Sequence, residues 1–404
     1  MEKAIKIGLI IGIALFLRCC IIHHPYSGEN IPPMYGDYEA QRHWQEITIN
    51  LPMENWYKNT SDNNLEYWGL DYPPLTAYHS YVIGKIANKI NPKFIELYKS
   101  RGYESNEHKL FMRMSVMISD FFLYIIPMIL FYWNIASSVP EKNSKNSEKK
   151  LTFCLNNFEK FCITALIYPG IILIDHGHFQ YNCVSLGLFL FSCIAINRGN
   201  FSIASFFFVL ALNYKQMELY HALSFFSYIL GKCLFDNREK KSFFSSLKLF
   251  LSVSFTVLLT FIVVWAPFWV KNSTVIFDIV ERLFPIKRGI FEDKVANVWC
   301  LINIFIKLRN YYSNIELAKI CLFTTTLSIL PSSIDLLEVE DQSDGCGGKF
   351  SVLIVSEKFE GKPLLQRHRL VNSILSEELK EIHAFSQKTL TPVQWEKQQD
   401  QSKQ

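Results

Sequence analysis

Charge is scarce in this chain of 404 residues. Only 19% of the residues are charged against 50% hydrophobic, with 33 Phe and 19 Tyr, and that balance strains any reading as an ordinary soluble globular protein. The sequence also lacks a CxxC pair or any regular cysteine spacing. Cys162, Cys183, Cys193 and Cys321 fall inside apolar runs, where a thiol behaves as a small hydrophobe, so neither a disulfide framework nor a zinc site is read. No inverted repeat marks a transporter. The net charge of +4 says little about partners, because placement along the chain matters more than the sum, and no nucleic-acid partner is expected.

What the sequence does have is a series of apolar runs, at 4–22, 113–136, 160–174, 180–196, 200–213, 217–234, 246–270, 298–308 and 317–337. A spanning helix needs roughly 20 such residues. Runs 160–174, 200–213 and 298–308 fall short and are read as tilted, re-entrant or broken helices. The first run is either a cleaved signal or an anchor; Arg18 and the two cysteines at its end do not make a small-residue cleavage site, which favours the anchor. The last 67 residues contain no such run.

Lysine-rich loops orient the chain. "EKNSKNSEKK" (141–150) and "GKCLFDNREKKSFFSSLK" (231–248) belong in the cytosol by the positive-inside rule. Counting outward puts the N-terminus inside and makes residues 23–112 a large loop on the opposite face. "DHGHFQ" (175–180), "NYKQ" (213–216) and 270–297 fall on that same face. Of the three N-x-S/T acceptors, Asn59 and Asn272 lie on it and Asn200 does not.

In "GDYEAQRHWQEI", Asp37, Glu39, Arg42, His43 and Glu46 crowd together. The spacing predicts a helix with Asp37 as its N-cap and Arg42 and Glu46 on one face. In "YWGLDYPPLTAYHS", Asp71 lies among Tyr67, Trp68 and Tyr72, and Pro73-Pro74 fixes an extended turn before an apolar helix. Two readings stay open on the residues alone: a solvated membrane interface, or a sugar cleft in which a carboxylate acts as general base on an acceptor hydroxyl while a lipid phosphate leaves. Lys215, at the edge of two apolar runs, is a snorkelling lysine or a partner for a phosphate or pyrophosphate. His176 and His178 flank Gly177, without the carboxylate cluster a metal site needs.

The stretches "GDYEAQRHWQEIT", "YWGLDYPPLTAYHS", "SRGYESNEHKLFMR", "IDHGHFQYN", "LNYKQMELYHAL" and "RGIFEDKVANVWC" resemble, in order and content, the endoplasmic-reticulum α-1,3-glucosyltransferases that use dolichyl phosphate glucose. "LDYPPLTAYHS" resembles the branch that adds the first glucose to the lipid-linked mannose-rich oligosaccharide. The resemblance covers residues 4–336. It implies a polytopic α-helical membrane protein of the GT-C glycosyltransferase type, C-terminally truncated against the family pattern, in the endoplasmic reticulum membrane with its active face lumenal. It further implies an inverting displacement with no cofactor, Asp37 as the base on the acceptor 3-hydroxyl, and Glu39, Arg42, His43 and Asp71 holding sugars or orienting that base. Arg288, Glu292 and Asp293, by themselves a solvated run, become a candidate wall of the site.

The tail reads differently. "FSVLIVS" alternates like a strand, and 363–379 has helical periodicity through Leu364, Leu365, Val371, Ile374, Leu375 and Leu379. "FEGKPLLQRHRLVN" and "IHAFSQKTLTP" resemble BolA-like proteins, small KH-like α/β modules. The expected division is therefore 1–337, a BolA-like module over 338–396 without its first helix, and a polar end at 397–404. That resemblance implies a monothiol glutaredoxin as partner and a bridging iron-sulphur cluster, with His383 as ligand and Cys346 as accessory. The two parts imply different compartments, since nine spans from a cytosolic start would carry the tail to the lumen.

Overall fold

The apolar runs become helices wherever nothing interrupts them. The computed structural model describes residues 2–138, 157–234, 243–284, 297–333, 338–341, 349–376 and 384–401. It divides into two units, one made of Met1–Ala136 with Thr152–Ala318 and the other containing Lys319–Gln404.

In the first unit, α1 (Glu2–Ile22) is followed by a loop and α2 (Gly36–Asn50). Pro73 stays extended and Pro74 opens α3 (Pro74–Ile90), the first-turn position where a missing N–H costs nothing. The side chain of Ser105 caps α4 (Asn106–Asp120), which runs through a π-helical turn at Phe121–Ile125 into α5 (Ile126–Ser138). Then come α6 (Asn157–Leu166), the short α7 (Pro169–Ile171), a π-helical segment Ile172–Phe179, α8 (Asn182–Asn197) and α9 (Phe201–Tyr214). After these follow α10 (Leu219–Leu234), α11 (Phe243–Lys271), α12 (Val275–Leu283), α13 (Val298–Phe305) and α14 (Asn314–Ser333), most of which belongs to the second unit.

Among the described residues, three helical stretches are long and apolar enough to cross a membrane: Ile5–Ile22, Asn106–Ile135 and Phe244–Lys271. α8 and α9 are shorter apolar helices. The expectation of nine spans is thus met by length at only some of the runs among the described residues. Run 160–174 is broken before Pro169, and run 298–308 supplies a helix of 8 residues, about 12 Å at 1.5 Å per residue. The long helices leave Phe255, Leu258 and Ile262 exposed, which suits hydrocarbon surroundings and not water.

Two contacts lock the apolar bundle. Arg18 of α1 and Asp120 of α4, both sealed from solvent, pair at 2.5 Å, and Arg18 also donates to the carbonyl of Leu166 at 2.8 Å. His176 of the π-helical segment lies 3.4 Å from the same Asp120 oxygen. Removing either member of such a pair leaves a bare charge in a low dielectric, so the pair fixes helix register more than it adds net stability. Gly187 of α8 sits against the π-turn: a Cβ there would meet the Leu123 carbonyl oxygen at 1.1 Å, a close approach only glycine permits.

A second apolar cluster builds the loop region. Trp44 and Ile47 of α2, Trp56, Tyr57 and Leu70 of the following loop, and Ile279 and Leu283 of α12 pack together with Phe268 of α11. This cluster stiffens the floor on which the charged residues of α2 stand.

In the tail unit, β1 (Glu338–Asp341) pairs antiparallel with β2 (Lys349–Val355), and β2 pairs parallel with β3 (Ala384–Leu390) in the order β1-β2-β3. A parallel pair needs a crossover, which contains α15 (Leu364–Ile374); α16 (Pro392–Gln401) follows. The expected strand and helix are both present. The apolar stripe predicted on the helix nonetheless buries Val371 while Leu364, Leu365 and Ile374 stay exposed, so packing within the described residues covers only part of it.

Candidate functional site

The chain enters α2 through a tight double-glycine passage. Gly36 has φ +66°, and a Cβ on it would meet the Ser27 carbonyl oxygen at 2.5 Å. The helix begins at Gly36 with Tyr35 in the left-handed region as its cap. Asp37 is therefore not the N-cap that the sequence predicted, because glycine, free of a Cβ, lets the turn start two residues earlier. Asp37 lies instead in the first turn, where the helix dipole favours a negative charge.

Its carboxylate has fixed company. Oδ2 accepts from His178 Nε2 at 3.0 Å and from Gln180 Nε2 at 2.6 Å. The Ser27 amide donates to the His178 carbonyl at 3.1 Å, so the two segments are tied by backbone as well as side chain. The side chain of Asp37 remains 30% exposed.

Gln180 faces two ways. Its Oε1 lies 3.5 Å from Lys215 Nζ, and Lys215 also donates to Asn182 Oδ1. Asn182 in turn is held by Asp175, which accepts from Asn182 Nδ2 at 2.8 Å and from the Cys183 amide at 2.7 Å. The ammonium stands 4.9 Å from the centre of the Tyr72 ring. Burial lowers the Lys215 pKa from its ordinary value, while Asp175, Asp37 and Asp71 pull it back up. Gln41, Tyr72, Thr76, Gln180, Asn182 and Lys215 line a small cavity, and Gln180 connects it to the Asp37 carboxylate.

The sequence matches the model of the ALG6, ALG8 glycosyltransferase family over residues 14–355. The chain belongs to that family. The dolichyl pyrophosphate Man9GlcNAc2 alpha-1,3-glucosyltransferase of Gallus gallus is 49% identical over 336 residues, covering 83% of this chain and 62% of its own. The probable enzyme of that name from Drosophila melanogaster is 46% identical over 334 residues, covering 83% and 66%. The chain thus spans about three fifths to two thirds of the length of these relatives. The model of BolA-like protein matches residues 326–394, overlapping the glycosyltransferase match. The crystal structure of a bol-like protein from Babesia bovis is 47% identical, covering 19% of this chain and 91% of that one, with a TM-score of 0.16.

Within this glycosyltransferase-family chain the remaining expected residues fall into distinct places. Glu39, Arg42 and His43 are sealed from solvent. Arg42 donates to Glu39 at 2.7 and 2.6 Å, to Glu46 at 2.6 Å and to Ser100 at 2.5 Å. Glu46 further accepts from the Tyr98 amide at 2.8 Å and lies 3.3 Å from His43 Nδ1, and Tyr67 donates its hydroxyl to Glu39 at 2.9 Å. Burial alone would raise the Glu46 pKa, yet the hydrogen bond with His43 and the charge of Arg42 hold it down at about 2. Sealed in this network, the three residues pin α2. Asp71 is half-buried, and its carbonyl accepts from Gln216 at 3.2 Å.

Arg288, Glu292, Asp293, Cys346 and His383 lie outside the described residues. Sequence reasoning singled out neither Gln180 nor Asn182, though both belong to the "HFQYN" stretch. A polar triplet at the mouth of an apolar run was the available signal. His178, weighed only as a metal ligand, is a partner of Asp37.

Proposed function

We propose that this chain is a polytopic GT-C-type enzyme that transfers glucose from dolichyl phosphate glucose, in α-1,3 linkage, to a mannose-rich lipid-linked oligosaccharide on the lumenal face of the endoplasmic reticulum membrane. The observation that carries this reading is the Asp37–Gln180–Lys215 link, in which one amide side chain joins a part-exposed carboxylate to a half-buried cation. The relatives, named as alpha-1,3-glucosyltransferases acting on dolichyl pyrophosphate Man9GlcNAc2, support the choice of sugar and acceptor.

The mechanism is a single displacement. Asp37 takes the proton of the acceptor 3-hydroxyl as its oxygen attacks the glucose C1. The C1–O bond to the lipid phosphate breaks on the opposite face, its electron pair leaves with the phosphate, and a β-linked donor gives an α-linked product. Phosphate is a stable anion, so no acid need protonate it, and the Lys215 ammonium offsets its charge. His178 and Gln180 hold the carboxylate so that little reorganisation is required as the proton moves. The test is transfer of radiolabelled glucose from the lipid donor to the acceptor by the reconstituted chain. Lys215→Met is expected to raise the donor KM and leave the acceptor KM in place. Complete absence of transfer by the unmodified chain would reject the assignment.

A second reading concerns the tail, where the match over 326–394 favours a BolA-like adaptor that binds a monothiol glutaredoxin around an iron-sulphur cluster with His383 and Cys346. Copurification with the glutaredoxin and a visible absorption band lost in His383→Ala supports it; a colourless, unbound tail rejects it.

A further inference from the structure

Trp68 is a bulky residue with a left-handed backbone, φ +50°, a conformation that β-carbon sterics disfavour and that persists only where the surroundings impose it. Here they do. Arg282 of α12 donates to the carbonyls of Gly69 at 2.9 Å, Leu70 at 3.2 Å and Leu65 at 3.3 Å, bracketing Trp68 on both sides. Gly69 leaves no room for a side chain, since its Cβ would meet that guanidinium at 2.8 Å. The Trp44 indole donates to the Trp68 carbonyl at 2.8 Å. The Trp68 indole itself donates to the Met34 carbonyl at 2.5 Å, three residues before Asp37.

A tryptophan that serves as membrane-interface belt keeps its N–H for water or headgroups. Trp68 spends its N–H inside the protein, on the backbone that leads into α2, and remains part-exposed. Among the described residues its indole takes part in no ring–ring contact, whereas Trp44 and Trp56 are each packed against other rings. Part of the ring packs against the Trp44–Phe268 cluster; the part that stays exposed is flat and apolar, anchored to the backbone three residues before Asp37. Such a face suits the C–H side of a hexose, whose hydroxyls at the rim reach carboxylate acceptors. The cation for a leaving phosphate is linked to Asp37 through Gln180, whereas Trp68 is tied to the segment that leads into α2; the two are joined to Asp37 through different segments, and an in-line displacement needs donor phosphate and acceptor at separate places.

We propose that Trp68 is the stacking platform that seats a hexose ring of the acceptor oligosaccharide beside Asp37. This rests on the glucosyl-transfer reading of Asp37 and specifies which residue selects the acceptor.

The decisive variant is Trp68→Gly, because glycine adopts the left-handed backbone without strain and removes the ring together with its hydrogen bond to Met34; Trp68→Phe restores a ring without that hydrogen bond and so separates the two effects. The probe is a short-chain isoprenyl pyrophosphate analogue of Man9GlcNAc2. In transfer assays Trp68→Gly is expected to raise the acceptor KM about tenfold, the worth of one aromatic contact, with the donor KM changed less than about twofold and Trp68→Phe recovering most of the loss. An unchanged acceptor KM, or equal shifts for donor and acceptor, overturns the platform. Equilibrium binding of the same probe to Asp37→Asn and to Asp37→Asn/Trp68→Gly separates the two levels. Weaker binding by the double variant supports the platform, and equal binding overturns it alone. No binding by either Asp37→Asn or the unmodified chain overturns the glucosyl-transfer reading and the platform together.

Discussion

Replacing Arg42 by methionine removes a cation that two sealed carboxylates share. Glu39 receives two of its hydrogen bonds, Glu46 one and Ser100 one, and neither glutamate is reachable by water to recover the loss. An exposed pair of this kind contributes about 0–1 kcal/mol. Breaking a buried one costs about 3–5 kcal/mol, because the orphaned charge stays where it is. Glu39→Gln is expected to be milder, about 1.5–3 kcal/mol, since Arg42 keeps Glu46 and the amide oxygen still accepts from Tyr67. Arg42→Lys falls between, as one ammonium cannot replace a fork. Thermal unfolding in detergent, followed by tryptophan fluorescence, gives the order. Acid titration adds a second reading. With its folded pKa lowered from 4.5 to about 2, Glu46 contributes stability that is complete above pH 4.5 and lost as pH falls through 2. Arg42→Met flattens that loss. A cost below about 1 kcal/mol for Arg42→Met would mean a solvated pair and would refute the sealed network.

Gly187→Ala should prevent folding, because the 1.1 Å approach to the Leu123 carbonyl involves backbone that no rotamer can move; a yield of folded protein equal to the parent's would contradict the close packing of α8 on the π-turn. Burial lowers the His79 pKa from 6.5 to about 4, so its contribution to stability is complete above pH 6.5 and lost as pH falls through 4; His79→Phe is expected to remove that part of the acid response in unfolding measurements, and an unchanged response would reject it. Asn59 and Asn272 are expected to accept N-linked glycan and Asn200 to refuse it, read as endoglycosidase-sensitive mobility on a gel; modification at Asn200 would invert the assigned sidedness.

The long apolar helices were legible because their signal is composition over twenty residues, which local events barely disturb. The breaks were less so: nothing in the pattern of 160–174 announces a π-helical segment, whose register depends on what packs against it. The Arg42–Glu46 pair followed from helical spacing alone, and the structure adds Glu39 from the preceding turn of the same helix and Ser100 from farther along the chain. Asp37 could be picked out as a candidate, but its partners could not, since His178 and Gln180 lie 141 and 143 positions away and only tertiary folding joins them. The cap was misplaced by two residues, Tyr35 for Asp37, for a local reason, the positive φ of Gly36. In the tail, strand alternation in "FSVLIVS" and the helix after Pro363 were both visible, because short-range periodicity suffices there.

The central claim is that Asp37 removes the acceptor proton. The direct measurement is single-turnover glucosyl transfer by the reconstituted chain carrying Asp37→Asn, with donor and acceptor binding measured in parallel. The account predicts a rate lower by about a hundredfold to ten-thousandfold, the usual worth of a positioned base, with both dissociation constants close to those of the parent. Transfer at the parent rate by a folded Asp37→Asn protein would contradict it.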